Sequence, residues 1–319
     1  ALFYWRKGTI ELHGQETGRK IERFTPFERS AHWANAIAFC ALLLAGIGWL
    51  RVADHQDEVS GADALLRNFY GTLTVRSNAE EGWRTMLHGQ IVHGRQFTSP
   101  EKSQLPVTYY SPAGGAGKSL LAKAGQGPLR VGVVGIGVGT LATYGRPGDY
   151  YRLYDIDPLV IDVAQKHFTF LSDTKAKNDI ILGDARLQLE KESPQQFDVL
   201  IVDAFSGDSV PVHLLTRQAF ELYFRHLKPD GVLAIHITNR YLDLRPVIKT
   251  AADFLKRPVR IIDDAGDSDK GTFRSRWAVI AQDDTFFCHD GFAEAKLIAD
   301  KPGFKPWQDD YSSLFAVLQ

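Results

Sequence analysis

The sequence has little cysteine and almost no excess of charge of either sign. Two cysteines in 319 residues, Cys40 and Cys288, exclude a disulfide framework and fit a reducing compartment. Lys+Arg 37 against Asp+Glu 38 leaves a formal net charge of −1, without the cationic excess that a nucleic-acid coat protein needs. We therefore expect no nucleic-acid partner. An aromatic content of 11% excludes a disordered or collagen-like chain.

The apolar residues are unevenly distributed, with one long run at 31–50. This run, AHWANAIAFCALLLAGIGWL, has His32 and Asn35 as its only strongly polar side chains. About 20 helical residues span a hydrocarbon core of ~30 Å. Trp33 and Trp49 stand at its two ends, as interfacial anchoring favours. The run predicts a membrane helix, with a helix buried in a soluble core as the alternative.

The charges around this run conflict with the rest of the chain. The positive-inside tendency keeps a basic N-terminal arm cytoplasmic, so a single span would export everything after residue 50. The later residues look like a cytoplasmic metabolite enzyme. Since the chain begins with Ala1, a fragment or a fusion that lacks neighbouring spans would resolve the conflict. The basic residues of the arm are Arg6, Lys7, Arg19, Lys20, Arg23 and Arg29.

The remaining chain predicts two kinds of sheet. Residues 65–110 contain extended runs with a polar break at 78–82, which predicts a small antiparallel hairpin domain. After Pro128, apolar strand-like runs alternate with helical patterns, which predicts an α/β fold with a doubly wound, mostly parallel seven-stranded sheet. The strand-like runs are 129–135, 150–156, 179–183, 197–205, 231–238, 259–265 and 276–282, and the helical patterns are 158–171, 184–192, 213–228 and 244–256. The predicted domains are 1–50, 51–127 and 128–319.

A glycine-rich loop follows the first of these strands. Gly135, Gly137 and Gly139 permit a sharp turn at which backbone N–H groups can approach a ligand closely. Asp155 ends the next strand, where such folds place an acid that binds ribose hydroxyls. Thr140 breaks the dinucleotide pattern G-x-G-x-x-G at its last position. The three-glycine loop, together with the predicted hairpin at the end of the sheet, instead resembles the fold of S-adenosylmethionine-dependent transferases.

Further acids follow the later strands. Asp184 comes after the third strand, and Asp203 and Asp208 come at and after the end of the fourth. Read alone, Asp184 is equally a helix N-cap. Together with Asp155, however, these acids would line the crevice at the carboxyl ends of the strands, where they would attract a cationic amine. Asp203, at the end of an apolar strand, is the predicted proton acceptor for the amine, and Asp208 would hold a distant ammonium group.

Two other patterns predict no site. Gly117-Lys118-Ser119 resembles the end of a phosphate-binding loop, but the position five before Gly117 is Pro112 rather than glycine. His88 and His93 lie on predicted strands without a third ligand nearby, so we interpret them as structural and expect no metal.

From about residue 65 to 319 the sequence resembles the spermidine synthase family of polyamine aminopropyltransferases, in the bacterial branch fused to membrane helices. The resemblance implies a homodimer, as is common in the family. The motifs that carry it are Arg67-Asn68-Phe69-Tyr70-Gly71, the His-Gly pairs at 88–89 and 93–94, Pro106-Val107-Thr108-Tyr109-Tyr110, Asp203-Ala204-Phe205-Ser206-Gly207-Asp208, Pro211-Val212-His213-Leu214-Leu215-Thr216 and Trp307-Gln308-Asp309-Asp310-Tyr311-Ser312.

The resemblance also implies the ligands of the site. Decarboxylated S-adenosylmethionine, as co-substrate, would bind along the three glycines, with its ribose at Asp155 and its adenine near Asp184. Asp203 matches the family's acid that deprotonates the attacking amine. Tyr109 or Tyr110 matches its substrate-contacting tyrosine.

Two departures from the family pattern leave the substrates open. Val138 replaces the acid of the family's loop, which removes a contact to the aminopropyl amine and favours another sulfonium donor, including S-adenosylmethionine itself. Asp208 follows Asp203 by five residues instead of three. A methyltransferase on the same fold and a non-catalytic nucleoside- or polyamine-sensing domain are therefore the alternatives to an aminopropyltransferase.

The first 50 residues resemble the entry to the first membrane helix of the formate dehydrogenase cytochrome b subunit, through Glu22–Arg29 followed by His32 and Trp33. In that family the matching histidine binds haem, but its partner helices are lacking here, so we expect no haem. We expect a bacterial inner-membrane protein with a cytoplasmic catalytic part. If residues 1–50 are an artefact, the expectation is a soluble cytoplasmic protein.

Overall fold

A long apolar helix forms the described part of the first of two compact units, Ala1–Ser60 and Gly61–Gln319. The computed structural model describes residues 26–59, 61–204 and 211–319. Helix α1 runs from Pro26 to Val59, so it is longer than the predicted helix 31–50. Its segment Ser30–Gly48 has a mean hydropathy of 1.6 and none of it is buried, so it is long and apolar enough to cross a membrane.

A four-stranded antiparallel sheet begins the second unit, as the hairpin pattern predicts. Its strands are β1 (Ala64–Asn68), β2 (Gly71–Asn78), β3 (Trp83–His88) and β4 (Ile91–Phe97), and each pairs with the next along the chain. Leu73, Val75 and Met86 are fully buried, whereas alternate residues are more exposed. One face of this small sheet therefore packs against the rest of the unit.

A seven-stranded sheet follows, which confirms the predicted fold class. Its order is β10-β11-β9-β8-β5-β6-β7. The five strands from β9 to β7 are parallel, and β11 is antiparallel to both of its neighbours, β9 and β10. The strands are β5 (Arg130–Val134), β6 (Tyr150–Asp155), β7 (Lys177–Leu182), β8 (Phe197–Val202), β9 (Leu227–His236), β10 (Val259–Asp264) and β11 (Ser275–Ile280).

Helices cover both faces of the large sheet. All six residues of the central strand β8 are buried, because helices and loops pack on both of its sides. The helices of the unit are α2 (Gly115–Lys123), α3 (Pro158–His167), α4 (Phe170–Asp173), α5 (Ala185–Lys191), α6 (Arg217–His226) and α7 (Arg245–Phe254). The glycine loop leads only into a 3₁₀ helix, Thr140–Tyr144, so the α-helix typical of such loops is replaced here by a single short turn.

The small sheet packs closely on the glycine loop. Val138 is fully buried, and a Cβ added to Gly94 of β4 would overlap its side chain. Only a residue without a side chain at position 94 lets the strand approach this closely. A second link is polar, because the Asn68 amide donates a 2.5 Å hydrogen bond to Asp157 Oδ1, which also caps α3.

This packing predicts that Gly94→Ala lowers the free energy of unfolding by about 1–3 kcal/mol, since the new methyl group overpacks a filled contact. Combining it with Val138→Ala should cost less than the sum of the two single changes, because the smaller side chain makes room for the methyl group. Urea unfolding of the four proteins measures the coupling. Gly125→Ala is the control, since a Cβ there meets nothing within 4 Å. Strict additivity would contradict the proposed contact.

Candidate active site

A cavity of about 300 Å³ lies at the carboxyl ends of the parallel strands. In open α/β sheets this edge forms the ligand-binding crevice. The small sheet and the segment that follows it close the opposite side, so the cavity lies between the two sheets. Among the predicted site residues, the structure brings together at this cavity Tyr109, Tyr110, Gly135, Gly137, Asp155, Asp184 and Asp203.

Two of the three loop glycines line the cavity. Gly135 has a φ of +92°, and a Cβ there would overlap the Asp203 carbonyl oxygen, so the turn brings the end of β5 against the end of β8. Gly137 has a φ of +55° and also faces the cavity. Gly139, predicted to contact the donor, instead packs against Leu171 in the core and is not part of the cavity lining.

Two carboxylates at the end of β6 line the cavity. Asp155 accepts hydrogen bonds of 2.9 Å from the backbone N–H groups of Ile136 and Asp157, which fix its orientation beside the glycine loop. Burial raises the pKa of Asp155 to about 6 despite these bonds. Asp157 is 3% exposed, and its Oδ2 has no hydrogen-bond partner within the described residues. That atom can accept a hydrogen bond from a ligand.

Asp184 both caps a helix and lines the cavity, the two positions that its sequence context suggests. Its Oδ1 accepts a 3.0 Å hydrogen bond from the Leu187 N–H and so caps α5, while its Oδ2 lies 2.9 Å from His213 Nε2. Both Asp184 and His213 line the cavity. Capping fixes the carboxylate at the helix start without removing it from the crevice.

Asp203 is held on both of its oxygens at the end of β8. The Tyr110 hydroxyl donates a 2.5 Å hydrogen bond to Oδ2, and His236 Nδ1 lies 2.7 Å from Oδ1. His236 Nε2 is in turn 2.7 Å from the Thr238 hydroxyl. The Asp203 side chain is 4% exposed and therefore largely removed from solvent, and each oxygen keeps a free lone pair that could accept a proton.

Two tyrosines beside Asp203, Tyr109 and Tyr110, remain neutral. Burial, followed by the charge of Asp203, raises the pKa values of Tyr109 and Tyr110 well above their ordinary value. Tyr109 stacks on His236 at 4.8 Å, and His236 stacks on Trp277 at 4.6 Å. These ring contacts hold the imidazole in the orientation that bonds Asp203.

Sequence reasoning missed His236, although the signal for it was present. His236 is the last residue of β9, so the strand-end rule that selected the acids also selects this histidine. Thr238 and Arg274 line the same end of the cavity and were also missed. Arg274 lies in the connection before β11 and has no motif that would mark it.

His93 lines the cavity although the sequence suggested only a structural role. Burial and then the neighbouring His88 lower the pKa of His93 to about 4, while the charge of Asp203 opposes the shift. Its Nε2 is buried and has no hydrogen-bond partner in the described part of the chain. No group of three potential metal ligands occurs among the described residues.

Three further positions come from the loop and motifs of the predicted site. Val138 does not line the cavity, because its side chain packs into the core against Gly94. Asp208 lies outside the described residues. The C-terminal segment holds Asp309 in a bidentate ion pair with Arg186, at 2.7 and 2.5 Å, beside the cavity.

Comparisons with known proteins give one family match and several relatives in sequence. A family model described as the spermine/spermidine synthase domain matches residues 149–256. A polyamine aminopropyltransferase of Vibrio vulnificus is 29% identical over 113 residues, which cover 33% of this chain and 36% of that protein. An N-terminal histidine N-methyltransferase of Emericella nidulans is 27% identical over 187 residues, covering 52% and 32% respectively. The chain thus spans about a third of the length of these curated relatives.

The fold has a solved counterpart. The crystal structure of a probable spermidine synthase from Corynebacterium glutamicum superposes with a TM-score of 0.60 at 17% identity, covering 79% of this chain and 98% of that one. At this identity the likeness concerns the fold. Together with the sequence matches, it makes the large sheet of this chain spermidine-synthase-like in sequence and in architecture.

The neutral His93 predicts a stability that depends on pH. In the unfolded chain the imidazole takes up a proton near its ordinary pKa of 6.5, but in the folded protein only near about 4. The unfolded state binds more protons between these values, so the His93 contribution to stability is present above pH 6.5 and is lost as the pH falls towards 4. When urea unfolding is measured across this window, the free energy of unfolding should fall less steeply with decreasing pH for His93→Gln than for the parent.

The comparison isolates His93 because Asp155, whose raised pKa acts in the opposite direction in the same window, is present in both proteins. His289→Gln serves as the matched control, since His289 is exposed and remote from the cavity. Identical pH profiles for the parent and His93→Gln would contradict a neutral His93.

Proposed function

We propose that this protein transfers an aminopropyl group from decarboxylated S-adenosylmethionine to a small amine. The observation that carries the proposal is the Asp203 carboxylate, which is desolvated and held by Tyr110 and His236 in the cavity bordered by the glycine loop. This geometry suits a proton acceptor whose direction is fixed before the substrate arrives. The sequence and fold similarities point to the same reaction class.

The proposed reaction needs one proton acceptor and a precise alignment. The amine reaches Asp203 as an ammonium ion and loses one proton to the carboxylate, which frees its nitrogen lone pair. That lone pair forms a bond to the aminopropyl carbon attached to sulfur, and the carbon–sulfur electron pair remains on sulfur. The sulfonium donor thereby leaves as neutral methylthioadenosine. The main task of the protein is then to hold the two reactants in line.

The donor side of the cavity has groups that suit a nucleoside. Gly135 and Gly137 allow the backbone to approach a ligand without side chains between them. Asp155 would accept hydrogen bonds from ribose hydroxyls, and Asp184, which follows β7, would lie near the adenine; both line the cavity. The carboxylates also offset the positive charge of the sulfonium group.

Methyl transfer from S-adenosylmethionine is the second candidate. It is favoured by position 138, where a buried valine provides no carboxylate for the amine of an aminopropyl donor. One of the sequence relatives is an N-terminal histidine N-methyltransferase, which supports the same candidate.

Calorimetric titration of the protein with each donor distinguishes the candidates, because tight binding of S-adenosylmethionine alone would favour methyl transfer. Binding of a donor without turnover in the presence of amines would indicate a sensing domain.

We expect Asp203→Asn to abolish release of methylthioadenosine while donor affinity stays within about threefold of the parent value, because the amide keeps the shape but cannot take up the proton. Turnover is measured with decarboxylated S-adenosylmethionine and a panel of amines, and affinity by calorimetry. Asp162→Asn, on the outer face of α3 and paired only with Lys166, is the control. Turnover that survives Asp203→Asn would refute the assignment of the base.

Membrane attachment through α1 is a separate proposal. It is supported by the exposed apolar surface of Ser30–Gly48. We expect the full chain to remain with membranes in alkaline carbonate. The double change Leu42→Arg and Leu44→Arg should release it, since each arginine at the centre of a span costs about 2.5–3.5 kcal/mol. Leu297→Arg, at an exposed position of the second unit, is the control. Release of the parent protein by carbonate would refute attachment by this helix.

A further inference from the structure

The charged groups that line the cavity are arranged by sign. The carboxylates of Asp155, Asp157, Asp184 and Asp203 come from the ends of β6, β7 and β8, together with the start of the helices that follow. The opposite end carries Arg274, the one arginine or lysine among the described residues of the lining. The lining is therefore acidic along the nucleoside side and includes one cationic residue, Arg274, at the other end.

The strand register shows where Arg274 lies in the sheet. β11 pairs antiparallel with β9, with Trp277 opposite His236, and the Arg276 N–H donates a 2.7 Å hydrogen bond to the Thr238 hydroxyl. Arg274 precedes these residues, so it lies beyond His236 and Thr238 at the carboxyl end of β9. The glycine loop and Asp155 lie on the other side of Asp203, at β5 and β6. Arg274 thus belongs to the acceptor side of the cavity.

Arg274 also differs from other arginines of the unit. Arg276 bonds Asp263 at 2.6 Å, Arg260 bonds Asp284 at 2.5 Å, and Arg245 bonds Asp243 at 2.8 Å. The Arg274 side chain is exposed and, within the described residues, makes no hydrogen bond or ion pair. Its planar fork of donors is therefore free to bind a ligand, and it matches the geometry of a carboxylate.

We infer that the acceptor is an amine that also carries a carboxylate, with its amine at Asp203 and its carboxylate at the guanidinium group of Arg274. The inference rests on the transfer proposed above and narrows its substrate class from simple diamines to amino acids. A diamine would place a second ammonium group beside a cation, which disfavours binding. An amino acid instead places its ammonium group beside the Asp203 carboxylate and its carboxylate beside the Arg274 guanidinium group, so both contacts join opposite charges.

The acceptor pair γ-aminobutyrate and putrescine tests this inference, because the two molecules have similar length and differ in the charge of the distal group. The full chain is assayed for methylthioadenosine release from decarboxylated S-adenosylmethionine with each acceptor, and shorter and longer members of both series extend the comparison. We expect a higher kcat/KM for the amino acids than for the diamines of matched length.

Arg274→Gln should lower kcat/KM for the amino acid by about fivefold, mainly by raising KM. A fivefold effect is at the upper end of what an exposed ion pair contributes. The same change should leave the diamine value unaltered or raised. Arg274→Glu should reverse the preference, because it places an anion at the distal end. Arg240→Gln is the control, since Arg240 is exposed near the same edge but does not line the cavity.

The outcomes separate this inference from the proposed function. If the diamine is preferred and neither change at Arg274 alters the preference, the inference is overturned while the transfer stands. If no acceptor yields methylthioadenosine, the proposed function fails, and calorimetry with methylthioadenosine present still decides whether the amino acid binds more weakly to Arg274→Gln. If Arg274→Gln weakens binding of S-adenosylmethionine but not of any acceptor, the carboxylate is that of the donor and the inference is overturned.

Discussion

The hydrogen bonds to the Asp203 carboxylate are the interaction on which the organisation of the site depends. They join three distant parts of the chain: Tyr110 after the small sheet, Asp203 at the end of β8 and His236 at the end of β9. Since a desolvated carboxylate without partners would be costly, the two bonds stabilise its position and fix both neighbouring side chains. The Asp203 carboxylate thereby ties the segment at 107–110, which follows the small sheet, to two strands of the large sheet, and this connection shapes the cavity.

The sequence predicted the fold well where burial controls the pattern. Apolar runs such as 197–205 are explained by a strand that is buried on both faces, and the acids at strand ends could be grouped because parallel strands end at one edge. Asp203 and Asp155 were found in this way. Spacing along the chain, however, does not show which way a side chain faces. Val138 and Gly139 stand in the same loop as Gly137. The Val138 side chain nevertheless packs in the core, and the backbone of Gly139 lies against Leu171 rather than at the cavity.

The residues that were missed depend on contacts between remote segments. His236 acquires its place from a bond to Asp203 and from rings at 109 and 277, none of which is near it in sequence. Arg274 reaches the cavity only because β11 runs back along β9. His93 is neutral because its side chain is buried where β4 packs, with His88 beside it, a consequence of packing that no local pattern records. Tertiary pairing, rather than composition, determines these features.

The contact between Gly94 and Val138 limits how the specificity of this cavity could be re-engineered. An aspartate at position 138 would restore the acid of related loops by a single substitution, but it would place a charge in a dry layer against the β4 backbone. The strand would have to withdraw or the charge would be neutralised. In this chain, the residue at position 138 and the seating of the small sheet therefore cannot be changed independently.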